Sequence, residues 1–205
     1  MSTAARTAEG PGRREAEARA TREALIDAAL ELFTQRGYAS VGTEEIVSRA
    51  KVTRGALYHH FDDKRDLFRA VFERVEADLM ERIGATMQGA NDSWDLIVGG
   101  MRAFLDACEE PAVKQISLTD APAVLGWEAW HESDVNFGLE LLQRSIEMAI
   151  EGGTVAKQPV EPLSHLLLGA LNGSGLEIAR SSDPARAKRE MRKATDRLLA
   201  GLRPR

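Results

Sequence analysis

The stretch GYASVGTEEIVSRAKVTRGALYHHFDDKRDLFRAVFE, residues 37–73, decides how this chain is to be read. Within it Thr43 stands before two acids, Glu44 and Glu45, and before an apolar face of Ile46, Val47 and Ala50. That is the pattern of a short helix opened by a capping hydroxyl, with negative charge in its positive first turn. Lys51 and Val52 make a tight connection, Thr53 caps again, and the run through Ala56, Leu57 and Tyr58 to Phe61 predicts a second short helix. Asp62 and Asp63 open a longer one, with Leu67, Phe68, Val71, Phe72 and Val75 as its buried stripe. Upstream, Leu25, Ala29, Leu32 and Phe33 recur at helical spacing, with Thr21 as the expected N-cap and Gly37 at the place of a C-terminal glycine cap.

A helix, a tight turn and a second helix let one helix enter a DNA major groove while its partner braces the backbone. In TRGALYHHF, residues 53–61, Leu57 and Phe61 are four apart and face inward, which leaves Arg54, Gly55, Tyr58 and His59 on the outer surface. Arg54 offers a bidentate fork for guanine, Gly55 allows close backbone approach, and the Tyr58 hydroxyl and His59 ring can donate to phosphates. Thr43 and Lys64, at two other helix starts, are placed for flanking phosphates. The competing reading of the same residues is an ordinary solvated helix face.

Residues 37–73 strongly resemble the DNA-binding domain of TetR-family transcriptional regulators, and the resemblance extends over about residues 20–74. It is carried by Gly37, Thr43, Thr53, Arg54, Gly55, the LYHHF run and Lys64. It implies an all-α protein in which an N-terminal three-helix helix-turn-helix domain contacts DNA through these residues. It further implies a homodimer on a palindromic operator, usually a repressor, released when a small molecule enters the C-terminal domain. Further along, LTDAPAVLGWEAWHESD, residues 118–134, is similar to a stretch in one C-terminal subgroup of the family, among actinobacterial regulators. One departure is visible: Lys51 stands where the family usually has glycine, and the resemblance therefore implies a non-glycine residue at positive φ in the turn.

The organisation expected on this basis is a flexible arm over 1–19, the helix-turn-helix domain over 20–66, and a C-terminal ligand-sensing and dimerisation domain over 67–205. The arm has no apolar periodicity, and its Arg13, Arg14 and Arg19 suit phosphate or minor-groove contacts. Downstream of Arg82 the pattern stays helical, punctuated at 89–93, Pro111, 120–122, 152–162 and 181–184. The pieces between, at about 94–109, 112–119, 123–150, 163–180 and 184–202, bring the total to about nine helices. The piece at 163–180 is nearly free of charge, while 184–202 is amphipathic, so the two need a further covering surface. A second copy of the chain, forming a four-helix interface, would supply it; burial inside one protomer is the alternative.

Charge divides the chain in the same way. Residues 1–74 carry 13 basic against 12 acidic side chains, 75–180 carry 6 against 17, and 181–205 carry 8 against 3. The acidic middle favours a neutral or cationic effector over an anionic one. Phe104, Leu105, Cys108, Ile116, Trp127, Trp130 and Phe137 are the apolar residues expected to line a pocket there, unless they are core.

Other functional classes find little support. Four histidines and one cysteine form no nucleophile-and-base motif, and the adjacent His59 and His60 point about 100° apart on a helix, unlike a zinc-binding pair. Neither catalytic residues nor a metal site is expected, Cys108 is expected to be an inert packed thiol, and the absence of strand patterns leaves no nucleotide-cofactor loop. The one cysteine and the lack of a signal-like segment suit a reducing cytoplasm. No apolar run approaches the roughly 20 residues of a membrane helix. A purely structural helical scaffold is the remaining alternative, and it has no need of Arg54, Tyr58 and Lys64 around one face.

Overall fold

The computed structural model describes the backbone of residues 11–87 and 92–204, and the side chains of these except 11, 87 and 131–137. All regular structure among the described residues is helical. The chain divides into two compact units, one ending at Val71 and the other starting at Phe72. That boundary falls five residues after the expected one at 66, because the stripe of the helix begun at Lys64 continues its packing in the first unit through Leu67, Phe68 and Val71.

The first unit holds α1 (Pro11–Arg36), a 3₁₀ turn (Tyr38–Ser40), α2 (Thr43–Ala50), α3 (Arg54–His60) and the start of α4 (Lys64–Met87). Leu25, Ala29, Leu32, Phe33, Ile46, Val47, Leu57, Phe61, Leu67 and Phe68 are all buried, as their spacing predicts. The rings of Phe33, Tyr38 and Phe68 form a cluster with centroids 5.1–5.6 Å apart. Gly37 ends α1 at φ 76°, its N–H donating to the Phe33 carbonyl at 2.8 Å.

Three expectations need correction here. Residues 11–19, assigned to the flexible arm, are the start of α1, while residues 1–10 lie outside the described residues. This extension buries no apolar stripe, so hydrophobic periodicity cannot reveal it. It rests instead on a proline at the first helical position, on the helix propensity of Ala16, Ala18 and Ala20, and on an Arg13–Glu17 pair at 2.9 Å one turn apart. Thr21 is therefore no cap; its hydroxyl donates to the Glu17 carbonyl within the helix. Thr43 is the first helical residue of α2, and Gly42 occupies the N-cap position with no side-chain cap bond.

The second unit holds the rest of α4, α5 (Ser93–Ala107), a π-helical segment (Val113–Asp120), α6 (Ala121–Val124), α7 (Trp127–Glu151), α8 (Val160–Arg180) and α9 (Pro184–Ala200). The expected helix over 123–150 is thus two, broken at Gly126, whose φ of 90° a side-chain-bearing residue would resist. The widened π turns let the Thr119 hydroxyl reach the Lys114 carbonyl at 2.7 Å, five residues back. α8 packs closely on α5: a Cβ on Gly175 would sit 3.2 Å from the Cys108 sulfur and 3.3 Å from both Leu118 and Phe104. α9 buries Leu199 and is clasped to α5 by Arg102, which donates to both oxygens of Asp196 at 3.1 Å, and by Lys188 paired with Asp106 and Glu109.

Candidate nucleic-acid interface and internal cavity

α2 and α3 are separated by Lys51, Val52 and Thr53, and each of these residues has a geometric task. Lys51 takes the left-handed conformation, φ 56° and ψ 39°, as the resemblance implies for the residue standing in place of glycine. Its N–H donates back to Ser48 and that of Val52 to Val47, which closes α2 within one residue. Thr53 then starts α3, its hydroxyl oxygen accepting from the Ala56 N–H at 3.2 Å. Ion pairs brace the frame behind: Arg36 to Glu45, and Arg49 to Glu31 at 2.6 Å.

α3 buries Leu57 and turns Arg54, Gly55, Tyr58 and His59 outward. Arg54 is 64% exposed; its Nη1 donates to Glu44 Oε1 at 2.8 Å, and its guanidinium stands 5.6 Å from the Tyr58 ring centroid. An exposed ion pair of this kind contributes at most about 1 kcal/mol, so the fork exchanges partners at small cost. A Cβ at Gly55 would meet nothing nearer than the Thr53 hydroxyl at 3.9 Å, leaving room for a close approach from outside. His59 is exposed and stacks edge-on against His60 at 5.2 Å. Burial holds the His60 imidazole below its ordinary basicity, helped by His59 and Arg22.

Lys64 is less free than its place at a helix start implies. Its Nζ donates to the Tyr38 carbonyl at 2.6 Å and lies 4.0 Å from the Tyr38 ring centroid, which ties α4 to the 3₁₀ turn. Burial, and then the charge of Asp63, raise the Tyr38 hydroxyl above the usual phenol range.

The second unit contains a half-open cavity of about 70 Å³. Its wall is formed by Ile83 of α4, Ile97, Met101 and Phe104 of α5, Leu142 of α7 and Leu171 of α8, with Ser145 and Asn172 as its polar members. Of the residues expected to line a pocket, Phe104 does so. Leu105, Cys108, Ile116 and Trp130 are buried in packed interior off this cavity, and Trp127 is 59% exposed. Phe137 lies outside the residues whose side chains are described. Trp130 is fixed by its indole N–H, which donates to the Ser117 carbonyl at 2.9 Å. Burial and the nearby charge of Glu76 push the Cys108 thiol up to about 12, so it is an unreactive packing residue. Among the described residues, no group of three or more His, Cys, Asp or Glu side chains could hold a metal ion.

Comparison with known proteins places this arrangement. Residues 25–71 match the family described as bacterial regulatory proteins, tetR family, and residues 94–202 match the tetracyclin repressor-like C-terminal domain. The structure resembles that of a TetR-family transcriptional regulator from Pectobacterium atrosepticum, with TM-score 0.85 and 36% identity, covering 93% of this chain and 97% of that one. The chain belongs to the TetR family. It is 48% identical to the transcriptional regulator AcrR of Shigella flexneri over 32% of this chain and 30% of that protein, so less than a third of that relative is spanned. To the uncharacterised regulator TtgW of Pseudomonas putida it is 38% identical over 50% of this chain and 73% of that protein.

As a TetR-family member the chain is a DNA-binding transcriptional regulator and not an enzyme. No helix among its described residues is long and apolar enough to cross a membrane. The family match over residues 25–71 includes α2 and α3, and Thr53, Arg54, Gly55, Tyr58 and His59 stand together at the cap and along the outer face of α3. Sequence reasoning passed over Glu44 as the partner of Arg54. The signal lay in the two acids, Glu44 and Glu45, on the helix that precedes Arg54. It also passed over Asn172, although an amide within the charge-free run Leu163–Leu176 is itself such a signal.

Proposed function

We propose that this protein is a homodimer that places α3 of each copy in the major groove of a palindromic operator, with half-sites about 34–36 Å apart. It acts in the cytoplasm as a repressor that leaves the operator when a small molecule occupies the cavity of the second unit. The observation that carries this reading is the outer face of α3, where the exposed fork of Arg54 rests on a weak, exchangeable pair beside Tyr58. Arg54 reads a base edge, Tyr58, His59, Thr43 and Thr53 contact phosphates, Gly55 admits the backbone, and Lys64 holds the Tyr38 corner while presenting its charge.

Dimerisation draws support from α8 and α9. Ten residues of α8 are buried within one copy, yet Leu166 on the same helix is 72% exposed, and Leu198 of α9 is 48% exposed. Burial inside one protomer therefore accounts for one side of α8 and leaves the other for a partner. For the switch, α4 is one helix carrying both Leu67 and Phe68 of the first unit and Met80 and Ile83 of the cavity wall, so an occupant displaces side chains on the helix that supports the reading head.

The deciding experiment is fluorescence anisotropy with a duplex selected by the protein from a randomised pool, at two salt concentrations and against random competitor. The expected result is salt-sensitive binding at least about 10³-fold tighter than to random sequence. Binding erased equally by any duplex would overturn the operator reading and favour the scaffold.

A further inference from the structure

The cavity of the second unit selects an occupant by what its wall offers and withholds. Among the described residues that line it, none is charged, so an ionised carboxylate or ammonium entering it would lose its hydration without gaining a counter-charge. The polar contribution is confined to Ser145 and Asn172, which are 2% and 7% exposed. The Ser145 hydroxyl donates its proton to the Leu141 carbonyl at 2.8 Å, which leaves its oxygen as an acceptor. Asn172 already has an interaction within the protein, and its amide, with two N–H donors and an oxygen that accepts twice, has capacity beyond a single partner. A group that donates and accepts at one atom matches this pair, and an uncharged hydroxyl is the simplest such group.

Size narrows the class further. At about 70 Å³ the cavity has roughly half the volume of the engineered apolar cavity of about 150 Å³ that takes up benzene. Two of its lining side chains, Met80 and Met101, are unbranched thioethers that change rotamer readily, and Gly100 and Gly138 add no side chain to the wall. Methionine movement makes room for one ring; a fused polycycle exceeds the space within the wall, and α7 and α8 are already close there, with a Cβ on Gly138 only 3.3 Å from Leu168.

We propose that the second unit binds an uncharged, single-ring hydrophobe bearing one hydroxyl, with the ring against Ile97, Met101 and Phe104 and the hydroxyl on Ser145 and Asn172. This rests on the reading of the cavity as the effector site, and it names the effector's chemical class.

Calorimetric titration of the full chain with phenol, cyclohexanol, toluene and benzoate at pH 7.5 tests it. Phenol and cyclohexanol bind; toluene binds about 10-fold more weakly for want of the hydroxyl, and ionised benzoate at least about 100-fold more weakly. Asn172→Leu abolishes the preference for phenol over toluene while toluene still binds, and Leu142→Trp, which fills the cavity, removes every heat of binding. Benzoate binding as well as phenol, or phenol preference unchanged in Asn172→Leu, would overturn the assignment. Anisotropy of a bound duplex, followed in the same titrations, separates the two readings. Phenol that binds with the expected selectivity but leaves DNA affinity unchanged refutes the switch and supports the pocket; a protein that grips DNA but takes up none of the four compounds refutes the pocket.

Discussion

In the first unit the side chains able to recognise anything stand outside a buried core. Phe33, Leu57, Leu67 and Phe68 are 0% exposed, while Arg54, Tyr58 and His59 project from a helix of seven residues. In the second unit the interior is not filled, and the polar side chains facing the gap, Ser145 and Asn172, are buried. A rigid unit suits reading a duplex of fixed geometry, because any looseness beneath α3 would blur the register of Arg54 on a base pair. An underpacked unit suits a ligand, because the missing contacts are what an occupant restores. The comparison teaches that a change on the outside of the first unit should alter DNA recognition and spare folding. A change inside the second should alter folding or uptake and reach DNA through the assembly.

The largest effect expected is on the assembly. Leu166→Glu together with Leu198→Glu places two charges on the exposed apolar surface of α8 and α9, where each copy would meet the other. Sedimentation should show monomer, and affinity for the selected duplex should fall by about 100-fold or more as the second half-site is lost. Thermal unfolding should fall to that of an isolated copy and lose its dependence on protein concentration, while the copy still folds because both side chains are exposed within it. A variant that stays dimeric would move the interface elsewhere and break the assignment.

The next effect belongs to α3. Arg54→Ala should cost about 1–3 kcal/mol on the selected duplex and little on random sequence. Glu44→Gln tests the same fork from the other side. It frees Arg54 from its partner at 2.8 Å and removes a carboxylate that would face phosphates, so affinity for random duplex should rise and discrimination should narrow. Equal losses on both duplexes for Arg54→Ala would make it a phosphate contact. Lys64→Ala is a poor substitute for either variant, because it also breaks the bond to the Tyr38 carbonyl and lowers stability.

These variants were legible in the sequence to very different degrees. The residues of the reading head lie within a single short stretch whose caps, turn and inward pair are local signals, and α3 emerges with Leu57 buried and Arg54 outside. The cavity is assembled from four helices, α4, α5, α7 and α8, so its wall depends on which turns of separate helices face one another. Trp127 and Phe104 look alike as apolar residues in helical surroundings, yet one is 59% exposed and the other borders the cavity. The early start of α1 escaped for another reason: a helix lying wholly in solvent has no stripe, and its pattern of alanines and paired charges resembles that of a linker.

A smaller effect sharpens the contrast in packing. Gly175→Ala gains about 1 kcal/mol of helix propensity but presses a methyl against Cys108, Leu118 and Phe104 at once, and overpacking of that kind costs about 1–3 kcal/mol. The net expectation is a loss of about 1 kcal/mol in urea unfolding. Gly99→Ala on α5, which meets nothing within 4 Å, should by comparison stabilise the folded copy. If both substitutions stabilise, the α5–α8 contact is looser than it looks.

The smallest effect is a pH dependence confined to the first unit. Burial, His59 and Arg22 hold His60 below its ordinary value of 6.5, so around pH 6 the unfolded chain binds a proton there that the folded chain resists. Stability from this group is complete above the unfolded value and is lost as pH falls from about 7 toward the folded one, with no further change once both forms are protonated. The ring is half-buried, so water screens much of the effect. The two units carry separate reporters: Tyr38 and Tyr58 both lie in the first, and Trp94, Trp127 and Trp130 all lie in the second. Between pH 7.5 and 5.5 the tyrosine near-ultraviolet signal should therefore unfold at lower urea, and His60→Gln should flatten that slope. The tryptophan transition receives no such contribution from Cys108, whose thiol, pushed up to about 12, stays protonated throughout this range. If the tryptophan transition moved with pH and the tyrosine one did not, the titrating group would lie in the second unit and His60 would not be its source.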